Sequence, residues 1–187
     1  SYTALDLAMR IGESHGKTKK FWIGGCAFAM GGGIWAMHFT GMLAFELPIA
    51  ISYDVTITIF SLLFAIFASG CAFFYVSQKT NTYPRVLLGG IFMGSGVGTM
   101  HYSGMQAMIF SGSMYYKPIY FVASIFIAIV ASTVALRLII YFESNEQKEN
   151  YKYKFFASLI MGLAVSGMHY TGMNATVFIL SLIHISE

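Results

Sequence analysis

The chain alternates between five long apolar runs and short polar stretches. The runs cover residues 21–45, 55–77, 86–111, 118–136 and 155–181. Each comes to roughly the ~20 residues that a helix needs to cross a ~30 Å hydrocarbon core. The ~10-residue segments of alternating polarity that build membrane β-barrels are not seen in the sequence, and a helix satisfies its backbone hydrogen bonds within lipid. The pattern predicts an all-α fold, a polytopic transmembrane helical bundle with five complete spanning helices.

Two terminal segments fall outside these runs. Residues 1–9 are apolar but too short to cross a bilayer, so we expect the cytoplasmic end of a partial N-terminal helix. Asp6 within it is interpreted as an acid close to the interface, because an unpaired acid inside a membrane is costly. Residues 181–187 resemble a translated adapter sequence, and we interpret them as a non-native tail in which His184 has no role. We therefore expect one membrane domain over 1–180, truncated at both ends.

The charged residues support a membrane location and predict an orientation. They make up 10% of the chain, against about 25% in soluble domains. Lys117 lies on one side of the predicted bundle, and the other basic residues fall in or beside alternate loops: Arg10, Lys17, Lys19, Lys20, Lys79, Arg85, Arg137, Lys148, Lys152 and Lys154. Because cytoplasmic loops are rich in Lys and Arg, this predicts that loops 10–20, 78–85 and 142–154 are cytoplasmic. Nothing else in the chain favours nucleic-acid binding.

One motif of 15 residues, which we call the Met-His box, occurs three times. In each copy a central histidine has Met eight residues and one residue before it, and Met four residues after it. Gly occurs seven residues before and three residues after the same histidine. The copies are MGGGIWAMHFTGMLA from Met30, MGSGVGTMHYSGMQA from Met93 and MGLAVSGMHYTGMNA from Met161. A repeat this regular is not explained by composition alone.

The three histidines are predicted to lie at one depth. His38, His101 and His169 follow the first residue of their apolar runs by 17, 15 and 14 residues. At a rise of 1.5 Å per residue these separations are about 21–26 Å along each helix. All three helices are predicted to run from the inside to the outside. The histidines are therefore expected at a common level in the outer leaflet.

The residue types in the boxes favour a soft metal. Residues four apart share a helix face, which gives the pairs His38–Met42, His101–Met105 and His169–Met173. The glycines of each box clear that face, and small residues let membrane helices approach closely. Imidazole with thioether suits copper, particularly Cu(I), so we predict one or two copper ions held by these six side chains. The methionines that directly precede the histidines are weaker ligand candidates: Met37, Met100 and Met168.

Two other interpretations of the boxes stay open. Histidines on neighbouring membrane helices can be the axial ligands of haem, although haem would not require a methionine one turn after each histidine. A buried histidine is also usually a hydrogen-bonded core residue, and methionine commonly fills gaps in a core. The occurrence of three copies at one depth favours a ligand site over simple packing.

The box sequences resemble the signature of the bacterial MHYT domain family. The matching tetrapeptides are Met37–Thr40, Met100–Ser103 and Met168–Thr171, and the first two depart from the signature at Phe39 and Ser103. The flanking SYTALDLA and HFTGMLAFELP segments are similar as well, so the resemblance covers nearly the whole chain. It implies a seven-helix sensor of the bacterial cytoplasmic membrane that binds copper through Met and His and detects oxygen, carbon monoxide or nitric oxide. It also implies fusion to an output domain such as a diguanylate cyclase, a cyclic-dinucleotide phosphodiesterase, a kinase or a DNA-binding domain.

The expected function is therefore that of a membrane-embedded sensory input domain. Its expected location is the inner membrane, multi-pass, with the boxes toward the outer face. Its expected partners are the lipid bilayer, a diatomic gas and a cytoplasmic output domain, and the chain itself is not expected to be an enzyme. The alternatives are a copper or small-cation transporter, or a haem-binding membrane redox protein. A transporter needs polar or ligand residues through the whole membrane, and the inner halves of these helices offer mainly Gly, Ala and Phe.

Overall fold

A computed structural model describes residues 2–78, 82–144 and 151–181. The described chain is mostly helical, as the apolar runs predict. The helices are α1 (Tyr2–Glu13), α2 (Gly16–Leu43), α3 (Val55–Val76), α4 (Tyr83–Gln106), α5 (Pro118–Ser144) and α6 (Tyr151–Ala175). The strands are β1 (Ser52–Tyr53), β2 (Met108–Ile109), β3 (Gly112–Tyr116) and β4 (Thr176–Leu180). The predicted tail, apart from Ser181, and with it His184, lies outside the described residues.

Local sequence signals set several helix starts. The Asp54 side chain accepts a hydrogen bond of 2.9 Å from the Ile57 N–H at the start of α3, as an N-cap acid does. Pro84 lies in the first turn of α4, and Pro118 is the first residue of α5. Proline is tolerated there because the N–H that it lacks would have no partner within the helix.

Consecutive helices pack side by side, and the box helices α2, α4 and α6 also contact one another. Box glycines allow two of the close approaches. A Cβ added at Gly31 would lie 2.6 Å from the backbone nitrogen of Ile66 in α3. A Cβ added at Gly94 would lie 2.5 Å from the Cα of Ile129 in α5. Gly162, the equivalent residue of α6, has no such neighbour within 4 Å in the described part of the chain.

The strands correct the prediction that each box run is a single helix. The predicted runs 86–111 and 155–181 leave the helical conformation after Gln106 and Ala175. β1 pairs with β2, and β3 pairs with β4 from Gly112↔Leu180 to Tyr116↔Thr176, both antiparallel. Four of the five residues of β4, Thr176 to Ile179, are β-branched or aromatic, types that suit a half-buried strand. Hydrophobic run length did not reveal these strands, because such residues extend an apolar run equally well.

Two helices are long and apolar enough to cross a membrane by length and composition: α3 and the Pro118–Tyr141 part of α5. Large apolar side chains on them are exposed, with Phe67 70% and Val122 64% accessible. Exposed apolar surface of this extent indicates contact with lipid or with another protein. The membrane prediction is therefore supported. The prediction of five complete spanning helices is supported in this way for two, and it stays a prediction for α2, α4 and α6.

An ion pair fastens α1 to α6 at the end of the bundle opposite the strands. Lys154 Nζ lies 3.2 Å from Asp6 Oδ1, and its side chain is only 11% exposed. Arg10, one turn after Asp6, lies 3.7 Å from the other carboxylate oxygen. Asp6 therefore has two cationic partners, which is how an acid close to apolar surroundings is normally stabilised.

Two clusters of buried side chains occupy the interior. The larger fills the bundle from the α1 end up to Met100 and Met168. The smaller contains Met42, Met105 and Met108 and is covered by residues of the strands and the loops next to them. The three box histidines lie between the two clusters.

Candidate metal centre

The structure brings the three box histidines together at the centre of the bundle. His38, His101 and His169 come from α2, α4 and α6 and are 0%, 0% and 1% exposed. The Nδ1 atoms of His38 and His169 are 3.1 Å apart, and those of His101 and His38 are 3.2 Å apart. One ring nitrogen of each histidine lies within 4.8 Å of the others.

The three imidazoles are arranged like the blades of a propeller. Each pair of rings is nearly perpendicular, with interplanar angles of 71°, 78° and 83° and centroids 4.8–5.2 Å apart. The Nδ1 atoms face the centre, and each Nε2 atom points outward toward the next box helix. The repeat in the sequence thus becomes an approximate threefold arrangement in space.

Each imidazole fits against a box glycine on a neighbouring helix. A Cβ added at Gly41 would lie 2.6 Å from Nε2 of His169. A Cβ at Gly104 would overlap Nε2 of His38, and one at Gly172 would overlap Nε2 of His101. The contacts form a closed cycle: the histidine of α2 contacts the glycine of α4, that of α4 contacts the glycine of α6, and that of α6 contacts the glycine of α2. The glycine three residues after each histidine therefore makes room for the histidine of another copy.

The buried nitrogens are not satisfied by hydrogen bonds alone. A neutral imidazole has one N–H donor and one lone-pair acceptor. His38 Nδ1 lies close to two other Nδ1 atoms and can have only one of these roles at a time. Within the described ranges, Nε2 of His38 and of His101 are buried without a hydrogen-bond partner. A group that accepts electron pairs from all three Nδ1 atoms would remove the conflict between the roles of the Nδ1 atoms.

A single metal ion fits the spacing and the chemistry of these donors. Three nitrogens bound at about 2.0–2.1 Å to one ion would be spaced by about 3.3–3.6 Å. Two of the three pairs, at 3.1 and 3.2 Å between Nδ1 atoms, are close to this, and one ring nitrogen of each histidine lies within 4.8 Å of the others. With Nδ1 bound to a metal, the ring proton would reside on Nε2, beside the glycine of the next helix. Among the described residues, the metal-ligand group formed by these histidines includes no carboxylate or thiolate.

The methionines that follow the histidines by four residues lie together on the outer side of the imidazoles. Met42 and Met105 are 1% and 0% exposed, and Met173 packs against them half-buried. Met108 and Met114 join the same cluster. These two were not predicted as part of the site because they lie beyond the shared positions of the boxes. The concentration of methionine after the second box was the signal available in the sequence.

The methionines that directly precede the histidines do not form one group. Met100 and Met168 are 0% and 1% exposed and belong to the larger core cluster. Met37 is half-buried and lines a groove between α2 and α6. The structure thus separates three positions that the sequence presents as equivalent.

Comparison with known families identifies the repeat. The MHYT profile, described as "Bacterial signalling protein N terminal repeat", matches residues 31–89 and 94–148. These segments begin at the second residue of the first and second boxes and contain the rest of each, and the third box lies outside the matched residues.

Three curated bacterial proteins are similar over nearly the whole chain. The bifunctional diguanylate cyclase/cyclic di-GMP phosphodiesterase MucR of Pseudomonas aeruginosa is 44% identical over 95% of the chain and 26% of its own length. The cyclic di-GMP phosphodiesterase NbdA of the same organism is 42% identical over 94% of the chain and 22% of its own length. The signaling protein YkoW of Bacillus subtilis is 36% identical over 95% of the chain and 22% of its own length.

The chain therefore spans about a quarter of the length of these relatives. No solved structure matches it. The family profile covers more than half of the chain, in two copies that each contain a box histidine at the centre of the bundle. The chain belongs to the MHYT family, the N-terminal repeat of bacterial signalling proteins.

Proposed function

We propose that the chain is a sensory input domain of the bacterial inner membrane that holds copper between its three box histidines. The observation that carries this proposal is the convergence of three buried Nδ1 atoms from three helices. His38, His101 and His169 would be the ligands. Copper held there would supply a centre whose coordination changes when a diatomic gas (oxygen, carbon monoxide or nitric oxide) binds or when its redox state changes.

The surroundings of the histidines favour Cu(I) over harder ions. Thioethers are soft ligands, whereas carboxylates and water suit Mg²⁺ or Ca²⁺. Met42, Met105 and Met173 form the adjoining layer on the outer side, where they could bind the ion or exchange with an imidazole. Of the weaker candidates, Met100 and Met168 are buried in the core on the inner side of the imidazoles, and Met37 faces a groove.

The direct contact between the imidazoles favours an ion over haem. A haem bound by two of these histidines would have to place its porphyrin between their rings. Two of the three Nδ1 pairs are at 3.1 and 3.2 Å, and the rings are buried against glycines of neighbouring helices. A porphyrin would have to separate all three box helices.

The transport alternative has less support. On the inner side of the histidines the described box helices present Ile34, Val97 and Val165, and then a layer of methionines. An aliphatic layer next to the centre is a barrier to an ion that crosses the membrane. We favour a site that holds its metal.

We propose five spanning helices, α2 to α6, with the strands at the outer face. α2, α4 and α6 have 28, 24 and 25 residues, which is long enough to cross a bilayer. Their glycines, histidines and hydroxyl residues lower their apolar character, and α3 and α5 shield them on part of their surface. The basic ends of α2, α4 and α6 would then lie in the cytoplasm.

The proposed output is cytoplasmic. The relatives MucR and NbdA are named for cyclic di-GMP synthesis or hydrolysis, and we propose that this membrane domain controls an output domain of that kind. The signal would be a change in how the three box helices pack against one another. The membrane domain itself would not be catalytic.

Metal analysis of the purified protein tests the proposal. We expect copper in the parent protein and at least a tenfold lower content in the His101→Ala variant. His15→Ala, which alters the exposed histidine before α2, is the matched control and should keep the parent content. An optical spectrum of the same samples tests haem through its Soret band. Equal copper in the parent and the His101→Ala variant would overturn the proposal.

A further inference from the structure

A small cavity lies inside the bundle on the inner side of the histidines. Its volume is about 30 Å³. Side chains four residues before each histidine line it: Ile34, Val97 and Val165. So do the side chains eight residues before each histidine: Met30, Met93 and Met161. The cavity therefore continues the threefold column of the boxes, one helical turn from the imidazoles.

The chemistry of this cavity excludes water and charged ligands. Among the described residues that line it, Ser132 of α5 alone has a hydroxyl or a charged group, and the others are aliphatic side chains or methionines. A buried water needs two to four polar partners, and apolar cavities stay dry. A cavity needs about 10–15 Å³ of space to hold one water molecule, so about 30 Å³ leaves room for an occupant of a few heavy atoms. An apolar occupant of that size, such as a diatomic molecule, fits the cavity.

The walls of the cavity can adapt to such an occupant. Four of its lining residues are methionines, namely Met30, Met93, Met161 and Met168. Methionine has three rotatable bonds and a polarizable sulfur, so it adjusts to irregular spaces. Met168 directly precedes His169, and a displacement of its side chain acts on the same helical turn as the imidazole.

The cavity is also close to the outside of the described bundle. A groove of about 390 Å³ between α2 and α6 is lined by four of the same residues: Met30, Ile34, Met161 and Val165. One layer of flexible side chains therefore separates the groove from the cavity. Apolar gases dissolve well in hydrocarbon, and this wall offers them a short route inward.

We propose that this cavity binds a small apolar diatomic gas and holds it one helical turn from the three histidines. The inference rests on the proposed function, because the docked gas would be the molecule sensed at the metal. Binding to the cavity itself needs no metal. The two proposals can therefore fail separately.

Xenon is the probe for this site, since apolar protein cavities bind it. We would measure ¹²⁹Xe chemical shifts of the purified protein, with and without copper, as a function of xenon pressure. The expected result is one saturable site in both forms. Ala131→Leu puts a larger side chain into the cavity wall and should weaken xenon binding at least tenfold. Ala36→Leu, at an exposed position of α2, is the matched control and should bind like the parent.

A second variant distinguishes loss of the cavity from misfolding of the Ala131→Leu variant. Val97→Ala enlarges the cavity and should raise xenon occupancy at a given pressure. Absence of a saturable site in the parent, equal binding by the Ala131→Leu variant, or no change in the Val97→Ala variant would each overturn the inference. Saturable xenon binding in a protein that takes up no copper would leave the cavity site standing and overturn only the metal proposal.

Discussion

At the scale of single residues, the site requires the glycine three residues after each histidine as well as the histidine, because this glycine leaves room for the imidazole of another helix. Gly172 faces Nε2 of His101, and an added Cβ there would overlap the ring. Gly167 lies on the same helix, and an added Cβ would meet nothing within 4 Å in the described part of the chain. The same substitution should therefore lower copper affinity at Gly172 and leave it unchanged at Gly167.

We expect Gly172→Ala to lower the copper affinity by about tenfold or more, because the added Cβ displaces the His101 ring, and loss of the contacts that orient a metal ligand typically changes metal affinity by about 10–100-fold. Gly167→Ala should leave the affinity unchanged and stabilise α6 by about 0.5–1 kcal/mol, because glycine inside a helix is destabilising. Competition titration with a Cu(I) chelator and thermal unfolding measure the two effects. Equal copper affinities in the two variants would contradict the interlocked arrangement.

The methionines test whether a thioether binds the ion. Met105→Leu keeps nearly the same volume at a fully buried position, and swaps of this kind usually cost less than about 1.5 kcal/mol. If Met105 is a ligand, X-ray absorption of the copper-loaded protein should lose sulfur scattering, and Cu(I) affinity should fall severalfold. Met161→Leu, two turns on the inner side of His169, is the control with no expected change. An unchanged spectrum in the Met105→Leu variant would assign that methionine to packing.

At the scale of elements, Lys154 attaches α6 to α1 through Asp6, whereas Arg10 pairs with Asp6 within α1. The side chain of Lys154 is 11% exposed and pairs with Asp6, whereas that of Arg10 is 56% exposed. Removing one partner of a buried pair leaves an uncompensated charge, but Asp6 is 40% exposed, so solvent reduces the penalty.

We expect Asp6→Asn to destabilise the domain by about 2 kcal/mol, and Arg10→Gln to destabilise it by less than about 1 kcal/mol. Thermal unfolding in detergent or in a nanodisc measures both. The double variant Asp6→Asn with Lys154→Met should recover part of the loss, because it also removes the buried charge. Asp6→Asn removes both pairs of Asp6, so an effect of Arg10→Gln as large as that of Asp6→Asn would contradict the dominant role of Lys154.

The strands and the loops next to them cover the methionine cluster of Met42, Met105 and Met108 on its outer side. Phe178 of β4 stacks on Phe45 at 5.3 Å between centroids and contacts Phe110 at 5.7 Å. Phe178→Ala should open this cover without touching the histidines. We expect the rate of copper removal by an external chelator to rise about tenfold, with little change in copper content at equilibrium. An unchanged removal rate would mean that the metal leaves by another route.

The sequence predicted some of these features and left others open for physical reasons. The similar spacing of His38, His101 and His169 from the starts of their apolar runs predicts one depth, and the structure brings these histidines together. The cyclic fit of imidazole against glycine depends on how each helix is rotated about its axis, which spacing alone does not fix. The difference between Met37 and Met100 arises from the neighbouring helices, not from the box.

At the scale of the whole molecule, the proposed topology predicts which loops lie on each side of the membrane. Ser113 of β3 is exposed beside the proposed outer face, and Lys17 is exposed near the proposed cytoplasmic end of α2. We would replace Cys26 and Cys71 by alanine and then make the single-cysteine variants Ser113→Cys and Lys17→Cys. In intact cells the new cysteines should lie on opposite sides of the membrane. Only the Ser113→Cys variant should react with a membrane-impermeant reagent. Labelling of both variants from the same side would contradict the orientation.

The closed cycle in which each imidazole lies in the cleft of the following helix has a mechanical consequence. Turning any one box helix about its axis pushes the ring held by its glycine and swings its own ring against the next glycine. Because the contacts close into a cycle, rotation of one box helix requires rotation of the other two. A displacement of one imidazole should therefore reach the other two box helices through these contacts.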